Sequence, residues 1–190
     1  DCENNCLSGF SPLKMKTSKN QYFALRHGQS LANVANIISS DPAISTKTHG
    51  LSEFGKQQAH AAGLAFLQEA SGDHVAVFTS DFLRAKETAQ LFSECLQHNS
   101  NKKLFQGKPV IQTALRERNF GELNGKSSEN YRKVWEQDAL SADHTSFGVE
   151  SCSSVLIRTT RLVAALDASL PPTPDGSPWQ VVMVAHGDTL

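Results

Sequence analysis

QYFALRHG, residues 21–28, opens the ordered pattern of this 190-residue chain. Gln21 to Arg26 is a short apolar run rich in strand formers; it breaks at Gly28, and Ser30 to Ile38 is compatible with a helix. This is a strand-to-helix turn, and the downstream sequence repeats it. Ser52 is placed to cap a helix running to about Ala70, with Phe54, Ala61, Leu64 and Ala65 on one face. Val75 to Thr79 follows as a strand. Asp81 is then placed to cap a helix in which Phe82, Ala85, Ala89, Phe92 and Leu96 recur at three- and four-residue steps. Lys108 to Gln112 is a third candidate strand. Ser127 to Asp138 reads as helical, with Tyr131 and Trp135 four apart. Glu150 to Leu170 is the last long helix, with Val155, Leu162 and Leu166 on one side, stopped by PPTPDGSP. Gln180 to Ala185 is nearly continuous apolar sequence, as a strand covered on both faces would be. The alternation predicts an α/β fold: three layers, α/β/α, with a mainly parallel central sheet flanked by helices.

Composition bounds what such a fold does. Lysine plus arginine is 18 and aspartate plus glutamate is 19, giving a net charge of −1, so no global field favours a nucleic-acid backbone or an anionic membrane. Any anion has to be captured locally. Hydrophobic residues at 39% and charged residues at 19% are ordinary globular usage, and the length suits one domain. No apolar run approaches the roughly 20 residues of a membrane helix. The four cysteines, Cys2, Cys6, Cys95 and Cys152, are too sparse for a disulfide scaffold and fit a reducing, cytoplasmic setting. Residues 1–19 lack an apolar signal core and read as a processed leader or expression remnant, with Met15 a candidate native start; residues 20–190 form the domain.

In open α/β sheets ligands bind at the carboxyl ends of the strands. The first strand ends in Arg26-His27-Gly28 and the second runs into Thr79-Ser80-Asp81 with Arg84 one turn later. The third leads to Leu115-Arg116-Glu117-Arg118, and the last ends in His186-Gly187. Two histidines, at least two arginines and a glutamate thus converge on one rim. Such a set suits phosphoryl transfer: neutral imidazole is a nucleophile near neutral pH, arginine forks match phosphate oxygens, and a carboxyl group protonates a leaving oxygen. Backbone N–H groups at the helix start beside Gly28 add anion donors.

Leu25-Arg26-His27-Gly28-Gln29-Ser30, with Asn33, resembles the RHG[EQ]SxxN signature of the histidine phosphatase superfamily, the phosphoglycerate mutase-like enzymes. Four further blocks resemble that family in the same order: Leu51-Ser52-Glu53-Phe54-Gly55 with Gln58-Ala59; Ser80 to Ala85 with Thr88-Ala89; Leu115 to Gly121; and Ala185-His186-Gly187. The resemblance implies that His27 takes up the phosphoryl group and that Glu117 is general acid and then general base. It implies that Arg26, Arg84 and His186 grip the phosphoryl oxygens, that Ser30 and Asn33 contact the phosphate, and that Gly28 and Gly187 leave space for it. Glu117 needs a raised pKa for this role. No metal and no cofactor is required, because arginines and histidines supply the positive charge; the partner is a small phosphorylated substrate, and oligomeric state is left open. His186 lies close to Leu190, where the family continues with a helix and usually a strand, so the natural C-terminal end is expected to be missing.

Competing patterns are weaker. Cys152 and Arg158 have the C-x5-R spacing of cysteine-dependent phosphatases, but SSVLI between them lacks glycine and fits an amphipathic helix. His49, His60, His74, His98 and His144 show no zinc-ligand spacing and read as surface residues. Ser80 and Asp81 read as a helix cap, and Lys102 and Lys103 as a solvated loop. Arg118, Lys126, Arg132 and Lys133 are candidates for a second anionic group on the substrate, or simply solvated. Mutases of the family carry a longer, proline-rich stretch between the catalytic acid and the terminal His-Gly, and this chain has no proline between Pro109 and Pro171. Gln29 and Asn119-Phe120 also depart from the mutase pattern, which favours hydrolysis; the alternatives are a cofactor-dependent mutase that moves the phosphoryl group between hydroxyls, and an inactive relative that only binds phospho-ligands.

Overall fold

The computed structural model describes residues 18–190, so most of the expected leader, residues 1–17, lies outside the described residues. Five strands, β1 (Gln21–Arg26), β2 (His74–Thr79), β3 (Lys103–Leu104), β4 (Val110–Ile111) and β5 (Gln180–Ala185), form one sheet in the order β1-β5-β2-β3, with β4 also on β2. Every pairing is parallel. The register runs from Gln21 opposite Gln180 to Arg26 opposite Ala185, and from Val75 opposite Gln180 to Thr79 opposite Val184. The carboxyl ends of β1, β5 and β2 are therefore level, which makes the rim.

Side chains alternate across β5, so Val181 and Met183 face one helical layer and Val182 and Val184 the other. On the first face they pack with Tyr22, Phe78 and Trp179 against Leu162 and Leu166 of α6 (Cys152–Ser169). On the second, Phe23 and Val77 pack against Phe66 of α3 (Glu53–Glu69) and Phe92 and Leu96 of α4 (Leu83–Asn99). Each such side chain contributes about 1.5–3 kcal/mol on burial. All residues of β2 and β5 are buried, as their unbroken apolar sequence requires. Among the described residues no helix is long and apolar enough to cross a membrane.

The structure corrects several local expectations. The buried side of α3 is Gly55, Ala59, Gly63 and Phe66, while Phe54 and Leu64 are exposed. Small residues win that face because α4 lies too close for bulk: a Cβ on Gly63 would stand 2.7 Å from the Cys95 Cβ. The expected helix over 30–38 is one turn, α1 (Leu31–Val34), closed by a capping box between Ser30 and Asn33 and followed by Asn36 at φ 56°. A second single turn, α2 (Pro42–Ser45), carries proline at its start. Asp81 does not cap α4, whose N-cap is Phe82 without a side-chain bond; its carboxylate instead accepts both teeth of the Arg116 fork, at 2.8 and 2.6 Å. The third strand shrinks to Val110–Ile111. Lys102 donates to the Ala70 and Gly72 carbonyls and Lys103 enters β3, so this is no solvated loop. His74 is buried, its ring 5.5 Å from that of Trp179, and is not a surface residue.

Segment 120–149 builds a smaller core of its own. Phe120, Leu123 and Val149 meet Ile38 and Val134 of α5 (Tyr131–Asp138), with Tyr131 alongside. Ile38 donates to the Lys126 carbonyl and Ser128 to that of Asn36, which ties this segment to the loop leaving β1.

Candidate active site

The turn after β1 is clamped from three sides. His27 N–H donates to the Ala185 carbonyl at 3.0 Å, continuing the parallel ladder. Gly28 N–H donates to Thr88 Oγ1 of α4 at 3.1 Å, and Gln29 N–H to Gln58 Oε1 of α3 at 2.8 Å. Gly28 and Gly55 touch backbone to backbone, and a Cβ on either would enter the other's segment. Glycine is required at both positions by that approach.

Within this frame the His27 ring has one tautomer. Nδ1 lies 2.7 Å from the Gly28 carbonyl oxygen, which only accepts, so Nδ1 carries the hydrogen and Nε2 presents its lone pair. Arg84 Nε donates to that lone pair at 3.0 Å. Burial first, then the charge of Arg84, lowers the His27 pKa to about 3, so the imidazole is neutral at physiological pH. Arg84 is itself buried; Nη2 donates to the Ser39 carbonyl at 3.0 Å, and Nη1 is buried with no hydrogen-bond partner among the described residues.

His186 is wholly buried at the end of β5, its ring centroid 5.0 Å from that of His27 and 5.1 Å from that of Phe82. Its Nε2 lies 3.0 Å from Ser80 Oγ, and Nδ1 has no hydrogen-bond partner among the described residues. Burial and then Arg84 push its pKa well below the usual histidine value. Glu117 completes the set. Its Oε1 accepts from the Arg118 and Asp188 N–H groups at 3.1 and 3.3 Å. Burial, and next the Asp188 carboxylate, raise the Glu117 pKa to about 7, which leaves it substantially protonated near neutrality.

A cleft of about 350 Å³ opens between the rim and α5. Of the residues selected from sequence, Arg26, Asn33, Glu117 and Gly187 line it directly, whereas His27, Arg84 and His186 form the buried cluster beside them. Arg26 and Gly187 pack at ordinary contact distance, about 3.6 Å from a Cβ built on the glycine. Ser30 lies apart from the cleft, its hydroxyl committed to Asn33 Oδ1 at 2.9 Å.

Sequence reasoning missed Tyr131, Trp135 and Asp188, which also line the cleft, and the Ser80 and Ser39 contacts. Asp188, just after the strand-end His-Gly, was within reach of the same strand-end rule. Arg118 is not free to meet substrate. It is buried, and Asp138 accepts both ends of its fork at 2.7 and 2.8 Å. Cys152 donates to Asp138 Oδ1 at 3.2 Å, burial pushes its thiol pKa up, and Arg158 is held by Glu150. A cysteine-based phosphate cradle is therefore not built there. Among the described residues no group of three His, Cys, Asp or Glu side chains is placed to hold a metal ion.

A parallel sheet with paired histidines, a buried arginine and a proton-holding carboxyl at its rim defines a class, and comparison with known families gives the same one. Residues 22–190 match the model of the histidine phosphatase superfamily, branch 1, and the chain belongs to that superfamily. Its relatives include the 2,3-bisphosphoglycerate-dependent phosphoglycerate mutases of Rhizobium etli, 29% identical over 173 residues (87% of this chain, 74% of the relative), and of Chelativorans sp., 30% identical over 175 residues (87% and 75%). Among solved structures, a mycobacterial glucosyl-3-phosphoglycerate phosphatase complexed with VO3 superposes with a TM-score of 0.65 at 30% identity, covering 87% of this chain and 75% of that one.

Proposed function

We propose that the chain hydrolyses small phosphomonoesters without a metal, through a phosphohistidine on His27. The observation that carries this reading is the fixed tautomer of His27: its Nδ1–H is spent on the Gly28 carbonyl, so Nε2 is the nucleophilic atom. In the first step Nε2 attacks phosphorus and the ester P–O bond breaks. Glu117 delivers its proton to the departing oxygen, which leaves as an alcohol. Arg84 turns the N–H that it gives Nε2 toward a phosphoryl oxygen; its Nη1, Arg26 and His186 supply further contacts as charge spreads over the equatorial oxygens. In the second step the Glu117 carboxylate takes a proton from water, the water oxygen bonds to phosphorus, and the P–N bond breaks. Inorganic phosphate leaves, and His27 and Glu117 return to their starting states.

Transfer to water rather than to a second hydroxyl is supported at the positions that depart from the mutase pattern. Phe120 is wholly buried with its ring 4.8 Å from Tyr131 and offers the cleft no hydroxyl. Gln29 is spent on Ser52, whose hydroxyl donates to it at 2.8 Å. The mutase reading is favoured by the names of the relatives, and one experiment separates the two. The chain is incubated with a phosphomonoester carrying labelled phosphate in EDTA, quenched in base and mapped by peptide, with 3-phosphoglycerate and 2,3-bisphosphoglycerate as a parallel reaction. Label on the His27 peptide with release of inorganic phosphate is expected; turnover with no label there overturns the mechanism, and isomerisation without release establishes the mutase.

A further inference from the structure

The cleft has a composition that a phosphoglycerate-type leaving group does not explain. Arg26 is the one cation among the described residues that line it, and the phosphoryl group claims that charge. Beyond it stands Asp188, whose Oδ2 accepts from Trp135 Nε1 at 3.3 Å. Arg118 lies 4.0 Å from the same oxygen, but its fork is closed on Asp138, so Asp188 has no arginine fork of its own. Beside it is an aromatic platform: Trp135, which meets Asp188 through its N–H edge, is 52% exposed and stacked on Tyr131 at 5.5 Å and 10°. Two carboxamides line the same cleft. Asn33 and Asn36 use their oxygens on Ser30 and Ser128, which leaves their amide nitrogens as neutral donors.

Each surface selects a chemistry. A wide aromatic face beside polar groups accepts the apolar face of a ring whose edge carries hydroxyls. Neutral amide donors and a carboxylate acceptor hydrogen-bond hydroxyls in both directions. A like charge set beside Asp188 is disfavoured, and the cleft offers no second cation to offset it. We infer that the leaving group is an uncharged, hydroxyl-bearing ring of the sugar type laid against Trp135, and that Asp188 rejects leaving groups carrying a second anion. This inference rests on the phosphomonoesterase reading and narrows its substrate class.

The test compares kcat/KM for glucose 6-phosphate, 3-phosphoglycerate and p-nitrophenyl phosphate in the wild-type chain, in Asp188→Asn and in Trp135→Ala. Ratios between substrates are read, because effects on the shared chemical steps cancel. The wild type prefers the sugar phosphate to 3-phosphoglycerate by at least about tenfold. Asp188→Asn shrinks that ratio at least about fivefold by admitting the carboxylate, and Trp135→Ala shrinks it from the other side by raising KM for the sugar phosphate. A wild-type preference for 3-phosphoglycerate, or a ratio unmoved by Asp188→Asn, overturns the inference while hydrolysis of p-nitrophenyl phosphate leaves the parent reading standing. Failure to release phosphate from all three esters overturns the parent reading and the inference together.

Discussion

Glu117 and His27 are shifted in opposite directions by the same burial, because desolvation disfavours whichever form is charged. For Glu117 the neutral acid is kept to about pH 7, and for His27 the neutral base is kept down to about pH 3. The proposed acid and nucleophile are thus both in the form their roles need between the two values, about 3 and about 7. The kcat/KM profile is expected to fall as pH rises through about 7, with no limb from His27 above pH 4. Asp188→Asn removes the second cause of the Glu117 shift and moves that falling limb toward lower pH; a limb that stays in place or moves up contradicts the assignment. Stability carries the same signature. Above the unfolded value of 4.5 the unfolded chain ionises at Glu117 while the folded one holds its proton, so stability is lost as pH rises from 4.5 to about 7. Glu117→Gln is expected to unfold with the wild-type midpoint at pH 4 and to be more stable at pH 8, by up to about 3 kcal/mol, measured by denaturant titration at both values. The residues proposed to react were selected in sequence because they follow strand ends, His27 and His186 directly after β1 and β5 and Glu117 in the loop after β4. The tautomer of His27 and the protonation of Glu117 were not legible there, since both depend on a carbonyl, an arginine and an aspartate supplied by the fold.

At the scale of elements, the decisive contact is between two backbones. The turn holding His27 rests on the start of α3, with Gly28 and Gly55 face to face. Gly55→Ala gains about 1 kcal/mol of helix propensity, but its methyl runs into the fixed backbone of Gln29. Overpacking of about 1–3 kcal/mol wins; the variant is expected to unfold at lower denaturant and to lose kcat/KM through displacement of His27. A variant as stable and active as the wild type would show that the turn has room to retreat. Periodicity located α3, α4, α6 and β5 well, because each buries one continuous stripe or run. It failed on the face of α3, where apolar count favoured Phe54 and Leu64 but close approach of α4 favoured Gly63, on β3, which at two residues is too short to show a period, and on the length of β4, which lies within Lys108–Gln112 but spans only two residues. The cleft wall was hidden for a related reason: Tyr131 and Trp135 announce a helix face, and only the tertiary packing of α5 turns that face toward Glu117.

Over the whole molecule, a net charge of −1 conceals a local positive site, with Arg26 and Arg84 gathered at one rim and Arg84 Nη1 and His186 Nδ1 without hydrogen-bond partners among the described residues. An oxyanion bound there joins residues from the ends of β1 and β5 and the start of α4. Inorganic phosphate at about 100 times its dissociation constant is therefore expected to stabilise the fold by about 2.7 kcal/mol, read as a rise in Tm, and Arg26→Ala to weaken that response; equal responses would remove Arg26 from the anion site. The sheet order has a further consequence, for the history of each molecule rather than for its chemistry. β5 lies between β1 and β2, which do not pair with each other, and it brings His186 with it. During synthesis β1 emerges long before the strand that will hydrogen-bond it, and its His27 has no ladder to continue until residue 185 is available. Such long-range pairing makes closure a slow step. The half-made chain then presents a parallel sheet with a gap at its centre, and the pocket is assembled in the same event that fills it.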